Sequence, residues 1–330
     1  MNENEVINEA ARCLNCANPQ CRNACPLEID IPRLIKSVKF GDFNEAAEII
    51  FEKSYLGSIC GRVCPHEKQC KGSCIRGING EAIDIGTIEA FVSDKVINSE
   101  SKSINSNGKH KVAIIGSGPS GLQCAAKLKK AGINVTIFEK ENDLGGILTY
   151  GIPDFRLPNN VVNKVVSNII NMGVEVKTSK CFGKDFVLQD LWNENFDAVF
   201  LGIGTEKSKI LNIDGINLDG VYGANEFLKS PEKVEHKKVV VIGGGNVAMD
   251  VANVCLRSGA EVSVVYRRER KDMPANNSEI EDVISSGGKF VFKSNVVKIH
   301  GDKFVQKVEI NDGTYIDADK LIFAIGAEPR

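Results

Sequence analysis

Eight of the eleven cysteines of this 330-residue chain lie within the first 74 residues. They form two groups of four, with the spacings Cys13-x2-Cys16-x4-Cys21-x3-Cys25-Pro26 and Cys60-x3-Cys64-Pro65-x5-Cys70-x3-Cys74. Thiolates at such short spacings converge on metal centres, and a cysteine followed by proline is typical of runs that bind iron–sulfur clusters. We therefore predict that this region holds iron–sulfur clusters and performs one-electron chemistry.

Two other interpretations of the same cysteines stay open. A Cys-x2-Cys pair is also half of a structural zinc site, but the x4 and x3 gaps, the Cys-Pro pairs and the absence of histidine from the first group favour iron–sulfur. One histidine, His66, lies within the second group. Disulfides or unliganded thiols are disfavoured, because the first residues show no signal peptide and the cysteines at 124, 181 and 255 are scattered.

The composition excludes several classes of protein. Hydrophobic residues make up 42% of the chain and charged residues 25%, and the formal net charge of −2 gives no sign of binding to nucleic acid or to an anionic membrane. No apolar run approaches the roughly 20 residues that span a bilayer. The many thiols and the lack of an export signal predict a cytoplasmic protein.

The chain divides into a cysteine-containing region and an α/β region. Residues 1–97 are predicted to form short helices, two of which cover Phe43–Phe51 and Ile85–Ile97. Ser99–His110 is poor in apolar residues and is predicted to be a linker or an exposed connection. From Lys111 onward, apolar strands alternate with helical segments, which is typical of an α/β fold.

A strand predicted at Lys111–Ile115 leads into the glycine turn Gly116-Ser117-Gly118-Pro119-Ser120-Gly121. A helix over Leu122–Ala131 and a strand over Asn134–Phe138 follow, and the strand closes at Glu139. The glycines of such a turn allow a tight bend, the approach of a pyrophosphate and close helix packing, and the acid accepts hydrogen bonds from a ribose. We predict a dinucleotide site here; a turn without a ligand is the alternative.

The same unit recurs further along the chain. Strands over Lys237–Ile242 and Ala260–Tyr266 flank a helix over Met249–Ser258, and the turn reads Gly243-Gly244-Gly245-Asn246-Val247-Ala248. Arg267 and Arg268 follow the second strand, where the first unit has its acid. Guanidinium groups bind a 2′-phosphate that a carboxylate would repel. The second site is therefore predicted to bind NADPH, with a solvated basic loop as the alternative.

Two dinucleotide sites beside a cysteine-rich region predict one redox chain. A flavin converts the electron pair of a hydride into single electrons, and iron–sulfur clusters carry single electrons onward. The chain has only four histidines, none in a recognisable acid–base motif for the conversion of a substrate. We therefore predict an electron-relay subunit.

The chain resembles the family of the small (beta) subunit of NADPH-dependent glutamate synthase, which is related to the N-terminal half of dihydropyrimidine dehydrogenase. The motifs that carry the resemblance are Cys13–Pro26, Gly61–Pro65, Ile85–Glu89, Gly116–Leu122, Gly145–Pro158, Gly243–Asp250 and Val265–Ala275. The resemblance extends from about Arg12 to the last residue. It implies an α/β fold in which an N-terminal α-helical iron–sulfur domain precedes two Rossmann-like dinucleotide-binding domains, the second inserted in the first.

The resemblance also implies cofactors and their ligands. It assigns one [4Fe–4S] cluster to Cys13, Cys16, Cys21 and Cys74, and a second to Cys25, Cys64, Cys70 and Glu89. Cys60 is then a bystander, although counting cysteines alone gives it the place of Glu89. FAD is assigned to the first turn and NADPH to the second. The other residues implied to bind the flavin are Lys140, Gly145, Gly146, Ile147 and Gly151.

Three domains follow from the same resemblance. They are an iron–sulfur domain at residues 1–108, an FAD domain at 109–225 that resumes at 326–330, and an NADPH domain at 226–325. Relatives continue for several tens of residues beyond this point, with a Gly-Asp motif near the flavin. Either the chain is a fragment or its flavin site is incomplete, and we expect FAD to be retained less firmly.

The implied function is oxidation of NADPH, with electrons passing to FAD, to the [4Fe–4S] clusters and then to a partner. The large catalytic subunit of a glutamate synthase is the first expectation for that partner. Within the same family, the alternatives are a ferredoxin-linked or bifurcating transhydrogenase, with a ferredoxin-type acceptor, and a pyrimidine-reducing complex. A non-catalytic iron–sulfur binding or assembly protein is the alternative of another class. No nucleic-acid or membrane partner is predicted.

Overall fold

The computed structural model describes residues 1–97, 103–106 and 108–329. Within them the α-helices are α1 (Glu3–Ala11), α2 (Gln20–Asn23), α3 (Ile31–Lys39), α4 (Phe43–Phe51), α5 (Gly57–Val63), α6 (Ile85–Ile97), α7 (Pro119–Lys130), α8 (Ile147–Tyr150), α9 (Asn159–Asn171), α10 (Leu188–Asn193), α11 (Ala224–Lys229), α12 (Asn246–Arg257) and α13 (Asn277–Ser285). Short 3₁₀ helices lie at His66–Lys68, Ile75–Ile78 and Arg270–Asp272.

The strands are β1 (Lys111–Ile115), β2 (Asn134–Phe138), β3 (Glu175–Lys177), β4 (Ala198–Leu201), β5 (Lys207–Ser208), β6 (Val221–Gly223), β7 (Lys238–Ile242), β8 (Glu261–Tyr266), β9 (Lys289–Phe292), β10 (Val296–His300), β11 (Lys307–Ile310), β12 (Tyr315–Asp317), β13 (Lys320–Phe323) and β14 (Ala327–Glu328). The chain forms two compact units. The first unit contains Met1–Thr149 and Asp154–Ile203, and the second contains Tyr150–Pro153 and Gly204–Arg330.

Helices α1, α3, α4 and α6 of the first unit enclose an apolar core. Helices α3 and α4 each begin after an aspartate whose side chain caps the helix. Asp30 accepts a hydrogen bond from Arg33 N, and Asp42 accepts one from Glu45 N. Apolar residues at helical spacing, such as Ile31, Leu34 and Val38, then face inward and are almost fully buried. The helices predicted at residues 43–51 and 85–97 are confirmed.

Helices α5 and α6 touch through their backbones. A Cβ atom built on Gly61 of α5 would lie 2.5 Å from Ala90 N and 2.6 Å from Gly86 O of α6. No side chain fits at Gly61, because distances below 3.0 Å are not seen for real Cβ atoms. The two helices therefore pack at the shortest distance that a glycine permits, and their neighbouring side chains are forced together.

The first unit also contains a parallel sheet with the strand order β3-β2-β1-β4. Strand β1 pairs with β2 from Lys111 opposite Asn134 to Ile115 opposite Phe138. Because parallel strands end at the same edge, the residues that follow these strands lie side by side there. Both predicted strands are confirmed, but α7 begins at Pro119, three residues before the predicted start. Proline is well suited to the first turn of a helix, since it has no N–H to leave unpaired.

Part of the predicted linker at residues 99–110 lies outside the described residues, namely residues 99–102 and 107. Its described part is attached to the first unit: Ile104 N donates to Met172 O, and Lys129 Nζ donates to Ser106 Oγ. The prediction of an exposed connection is therefore wrong for Ile104 and Ser106, which are half-buried.

The second unit is built on a five-stranded parallel sheet with the order β6-β13-β7-β8-β9. A three-stranded antiparallel sheet, β10-β11-β12, and the pair β14-β5 complete it. Strands β7 and β8 each begin one residue later than predicted, and α12 begins at Asn246 where Met249 was expected. The predicted α/β class, with a helical N-terminal region and two Rossmann-like sheets, is confirmed; the three-domain division stays a prediction. No helix within the described residues combines the length and apolar character that crossing a membrane requires.

We predict that Gly61→Ala lowers the Tm, because the added methyl group must push α5 away from α6. Forced overpacking of this kind costs about 1–3 kcal/mol. Thermal unfolding followed by circular dichroism measures the effect. Gly77→Ala is the matched control, since its Cβ would lie an ordinary 3.4 Å from Ala82 Cβ. Equal Tm values for the two variants would contradict the backbone contact.

Candidate functional site: two cysteine groups and two glycine turns

Four cysteines line a single pocket in the first unit: Cys13, Cys16, Cys21 and Cys74. Two of them follow α1, one lies in α2, and the fourth directly precedes the 3₁₀ turn at Ile75–Ile78. Burial, together with the nearby cysteines, raises the pKa of Cys21 to about 11. Thiols of this kind are not readily ionised by the protein alone, but a bound metal stabilises the thiolate form.

The walls of this pocket are mainly apolar. Ile31, Ile35 and Ile83 are buried residues of the helical core that also face the pocket. Leu14 and Ile75 stand at its rim and are 57% and 44% exposed. A dry, apolar surrounding is one of the features by which proteins control the reduction potential of a metal centre.

The thiols are spread around the pocket. Among residues 1–97, 103–106 and 108–329, no three histidine, cysteine, aspartate or glutamate side chains are placed so that they could hold a metal ion. A zinc ion needs its sulfur ligands about 2.3 Å from one point. A [4Fe–4S] cluster instead takes four separate thiolates around a larger core. The four cysteines that line the pocket match the number of thiolates that such a cluster takes.

The second set of predicted ligands forms a chain of neighbours. Burial, together with the nearby charges of Glu89 and Cys25, raises the pKa of Cys70 to about 12. A hydrogen bond to Cys64, followed by burial, raises the pKa of Cys60 far above that of an ordinary thiol. The structure thus brings Cys25, Cys64, Cys70, Glu89 and the supposed bystander Cys60 into one neighbourhood.

Glu89 is the unusual member of this neighbourhood. Glu89 lies on α6 and is only 7% exposed, and among the described residues its Oε1 has no hydrogen-bond partner. Burial raises the pKa of this carboxyl well above its usual value, and the adjacent Cys60 raises it further. A buried polar atom without a partner costs about 1–3 kcal/mol. Such an atom calls for a functional explanation, and an oxygen ligand for a metal is one.

The first glycine turn joins β1 to α7. Gly116 has φ +97°, and a Cβ there would lie 2.4 Å from Gly202 O. At Gly118 the situation is the opposite, because a Cβ would meet no atom within 4 Å. The open side of Gly118, at the N-terminus of α7, is therefore a place where a pyrophosphate can approach the backbone.

Glu139 follows β2 beside this turn and is 6% exposed. Its Oε2 accepts hydrogen bonds from Ser117 N at 2.8 Å and Ser117 Oγ at 2.6 Å. Its Oε1 accepts one from Glu141 N at 3.0 Å. The carboxylate is thereby fixed at the end of the strand with lone pairs left for a ribose. The next residue, Lys140, is exposed, and its Nζ lies 4.0 Å from Glu141 Oε1.

Three further predicted flavin residues lie close in sequence to one another. Gly145 N donates to Ser117 Oγ at 3.2 Å, and a Cβ on Gly146 would lie 3.0 Å from Gly118 Cα. Both glycines are thus placed against the first turn, and Ile147 begins α8 directly after them. Gly151 is buried and belongs to Tyr150–Pro153, the short segment that is part of the second unit.

The second glycine turn repeats the same pattern. Gly243 has φ +142°, and a Cβ there would lie 2.3 Å from Ala324 O. Gly245 is open, with Pro274 Cγ at 3.8 Å as the nearest atom to a Cβ. Ala248 takes the place of the third glycine and is fully buried. Both turns therefore begin with a crowded glycine, Gly116 or Gly243, and have an open glycine two residues later, Gly118 or Gly245.

Sequence reasoning missed one residue at this turn. Asn276 N donates to Asn246 Oδ1 at 3.0 Å, and Ala275 N donates to Gly244 O at 3.1 Å. Asn276 is 8% exposed, and its Oδ1 has no hydrogen-bond partner in the part of the chain that the structure describes. The only signal in the sequence is its position directly after the Met-Pro-Ala motif. This asparagine offers a buried acceptor beside the nucleotide turn.

The basic residues after β8 differ in how they are paired. Arg270 forms a salt bridge with Glu281. Lys271 Nζ lies 3.0 Å from Glu269 Oε2, and Lys293 Nζ lies 2.6 Å from Glu269 Oε1. Arg267 and Arg268 are exposed, and within the described part of the chain neither forms a salt bridge. The two arginines predicted to bind a 2′-phosphate are therefore available to an anion.

Comparison with known proteins agrees with this geometry. Residues 1–101 match the family described as dihydropyrimidine dehydrogenase domain II, 4Fe–4S cluster, and residues 110–330 match the pyridine nucleotide-disulphide oxidoreductases. The chain belongs to the pyridine nucleotide-disulphide oxidoreductase family. It is an oxidoreductase whose cofactors are a 4Fe–4S centre, FAD and a nicotinamide nucleotide, as predicted.

Two relatives and one solved structure define the similarity. The chain is 34% identical to the glutamate synthase [NADPH] small chain of Escherichia coli K12, over 99% of this chain and 78% of the relative. It is 36% identical to the NAD-dependent dihydropyrimidine dehydrogenase subunit PreT of the same organism, over 98% of this chain and 80% of the relative. The fold is similar to that of a 2-naphthoyl-CoA reductase, with TM-score 0.60 and 21% identity over 92% of this chain and 43% of the other. The resemblance inferred from the motifs is confirmed, while the individual ligands stay predictions.

Proposed function

We propose that this chain oxidises NADPH and passes the electrons through its iron–sulfur centres to a separate large subunit, as a small subunit of the glutamate synthase type. One observation carries the proposal: Cys13, Cys16, Cys21 and Cys74 line one pocket in the same compact unit as the first glycine turn. When bound, FAD takes up a hydride and releases single electrons, which [4Fe–4S] clusters carry onward. A cytoplasmic location is part of the proposal.

The cysteine side chains divide between two clusters in this proposal. Cys13, Cys16, Cys21 and Cys74 hold the first, inside the apolar pocket. Cys25, Cys64, Cys70 and Glu89 hold the second. The support for Glu89 is its closeness to Cys70 and its buried Oε1, which accepts no hydrogen bond from any residue that the structure describes. A carboxylate is a harder ligand than a thiolate and is compatible with iron.

The glycine turns bind the two dinucleotides. Gly116, Gly118 and Gly121, with Pro119 and Ser120 between them, receive the FAD pyrophosphate, and Glu139 binds its ribose. Lys140, Gly145, Gly146, Ile147 and Gly151 complete the flavin site. The turn Gly243–Ala248, including Gly244, Asn246 and Val247, receives NADPH. The N-terminus of the helix after each turn presents unpaired N–H groups to the phosphates.

A pyrimidine-reducing complex is the second candidate. It is favoured by the 36% identity to PreT, whose name describes an NAD-dependent enzyme. The unpaired Arg267 and Arg268 favour the glutamate synthase type, because two guanidinium groups at the end of β8 suit a 2′-phosphate, which NAD lacks. A ferredoxin-type acceptor in place of the large subunit belongs to the same second candidate.

We predict that replacing Arg267 and Arg268 together by alanine weakens NADPH binding by about 100-fold or more, since each arginine forms a charge-assisted hydrogen bond to the 2′-phosphate. NADH binding should change by less than about threefold, because NADH has no such group. Isothermal titration calorimetry with each nucleotide measures both effects and needs no flavin.

Lys271→Ala is the matched control, because this neighbouring cation is already paired with Glu269. We expect it to leave the preference for NADPH over NADH unchanged. Equal weakening of NADPH and NADH by the double arginine substitution would sink the 2′-phosphate assignment and would move the chain toward the NAD-dependent candidate.

We predict that anaerobically purified protein contains about eight irons and eight acid-labile sulfides, as two [4Fe–4S] clusters require. Glu89→Ala should retain about four, since the second cluster loses a ligand. Glu48→Ala, an exposed acid on α4, is the control and should keep the wild-type content. A Glu89→Ala protein with the full iron content would remove Glu89 from the ligand set.

A further inference from the structure

A cavity of about 360 Å³ lies inside the first unit. All the residues that line it belong to this unit, and none of them is a predicted ligand of iron or of a nucleotide. Sites for small molecules usually have volumes of about 300–1,000 Å³, whereas well-packed protein interiors leave few voids larger than a water molecule. The cavity is therefore large enough to hold a ligand of its own.

Most of the cavity wall is apolar. Val165, Ile169 and Met172, on α9 and directly after it, line the cavity and are at most 5% exposed. Phe51 and Tyr55 line another part of the wall, and their rings are stacked, with centroids 5.3 Å apart and an angle of 9° between their planes. A ligand with an apolar body buries that body against this wall.

Two serines of the wall have hydroxyl groups without a partner. Ser58 on α5 and Ser93 on α6 are 1% and 2% exposed, and neither Oγ forms a hydrogen bond with a described residue. A Cβ built on Gly57 would lie 2.3 Å from Ser93 Oγ, and Gly57 directly precedes Ser58, so the two serines lie close together. Buried hydroxyls without a partner are rare and indicate that the cavity holds a polar atom beside them.

The charge at the cavity is positive. Lys130, at the end of α7, lines the cavity and is exposed, so it marks the side that faces solvent. Among the described lining residues there is no acid. Burial, then repulsion from Lys130 and Lys53, lowers the pKa of the neighbouring Lys127, and Glu52 acts more weakly in the opposite direction. An anionic group is therefore favoured at this side.

We propose that this cavity binds a small carboxylic acid whose apolar body carries a second oxygen atom. Lys130 receives the carboxylate at the solvent-facing side, and Ser58 and Ser93 donate hydrogen bonds to the second oxygen at the buried side. Binding is non-covalent, so no bond forms or breaks. This site is additional to those of the proposed function and does not depend on them.

Isothermal titration calorimetry on anaerobically purified full-length protein tests the proposal. The probes are ω-hydroxy fatty acids of six, eight and ten carbons, each compared with the fatty acid and the diol of the same length. We expect one site per chain. The preferred ω-hydroxy acid should bind about threefold or more tightly than its fatty acid and its diol, because it alone pairs with both ends of the cavity.

Lys130→Gln tests the solvent-facing side. It should weaken binding of the ω-hydroxy acid about fivefold or more, since the charge-assisted hydrogen bond is lost, and leave the diol within about twofold. Lys184→Gln is the matched control, because it removes an exposed lysine of the same unit that does not line the cavity. Its affinities should equal those of the wild type.

Ser93→Ala tests the buried side. It should remove the preference for the ω-hydroxy acid over the fatty acid without lowering the Tm of the free protein, because the Ser93 hydroxyl has no hydrogen bond to a described residue. Ser54→Ala is the matched control: Ser54 is also 2% exposed, but its Oγ accepts a hydrogen bond from Leu56 N at 3.0 Å and it does not line the cavity. It should lower the Tm and keep the preference.

Two results would overturn the proposal. One is the absence of binding for all the probes, since the two hydroxyls would then be satisfied by water. The other is binding that Lys130→Gln and Ser93→Ala leave unchanged, because the probes would then bind elsewhere. The titrations need neither NADPH nor reduced clusters, so their failure and the failure of the proposed function are distinguishable.

Discussion

The backbone contact between α5 and α6 is the constraint on which the second cysteine group depends. Gly61 allows the two helices to approach until a Cβ atom would collide with Ala90 N. That approach buries Glu89, leaves its Oε1 without a hydrogen-bond partner among residues 1–97, 103–106 and 108–329, and sets it beside Cys60 and Cys70. A carboxylate in such surroundings is unfavourable unless a cation joins it. The packing of two helices thus raises the pKa of the Glu89 carboxyl, and we propose that a metal centre offsets the cost of its burial.

The two glycine turns show how one local structure serves two ligands. Each turn begins with a glycine of positive φ, Gly116 or Gly243, that is close to a backbone carbonyl. The glycine two residues later, Gly118 or Gly245, faces open space. The difference lies after the following strand. Glu139 is buried and held by Ser117, whereas Arg267 and Arg268 are exposed. In the proposed function, backbone geometry provides the phosphate site and the charge at the strand end selects the nucleotide.

Local signals predicted the elements of the fold well. Helices at residues 43–51 and 85–97 and the strands beside the turns follow from caps and periodicity, which are properties of short segments. The starts of α7 and α12 were placed three residues too late, because turn residues were counted as loop. The antiparallel β10-β11-β12 sheet and the contact of Asn276 with Asn246 depend on residues far apart or on exact packing. The spacing of the cysteines alone did not assign Cys74 to the same ligand set as Cys13; the family resemblance supplied that assignment.

The central claim is that electrons from NADPH reach the iron–sulfur clusters of this chain. Electron paramagnetic resonance of the anaerobic protein, supplied with FAD and then with NADPH, tests it most directly. The account predicts that NADPH produces the spectrum of reduced [4Fe–4S] clusters and that NADH at the same concentration produces much less. Clusters that are reduced by dithionite but remain oxidised with NADPH would contradict it.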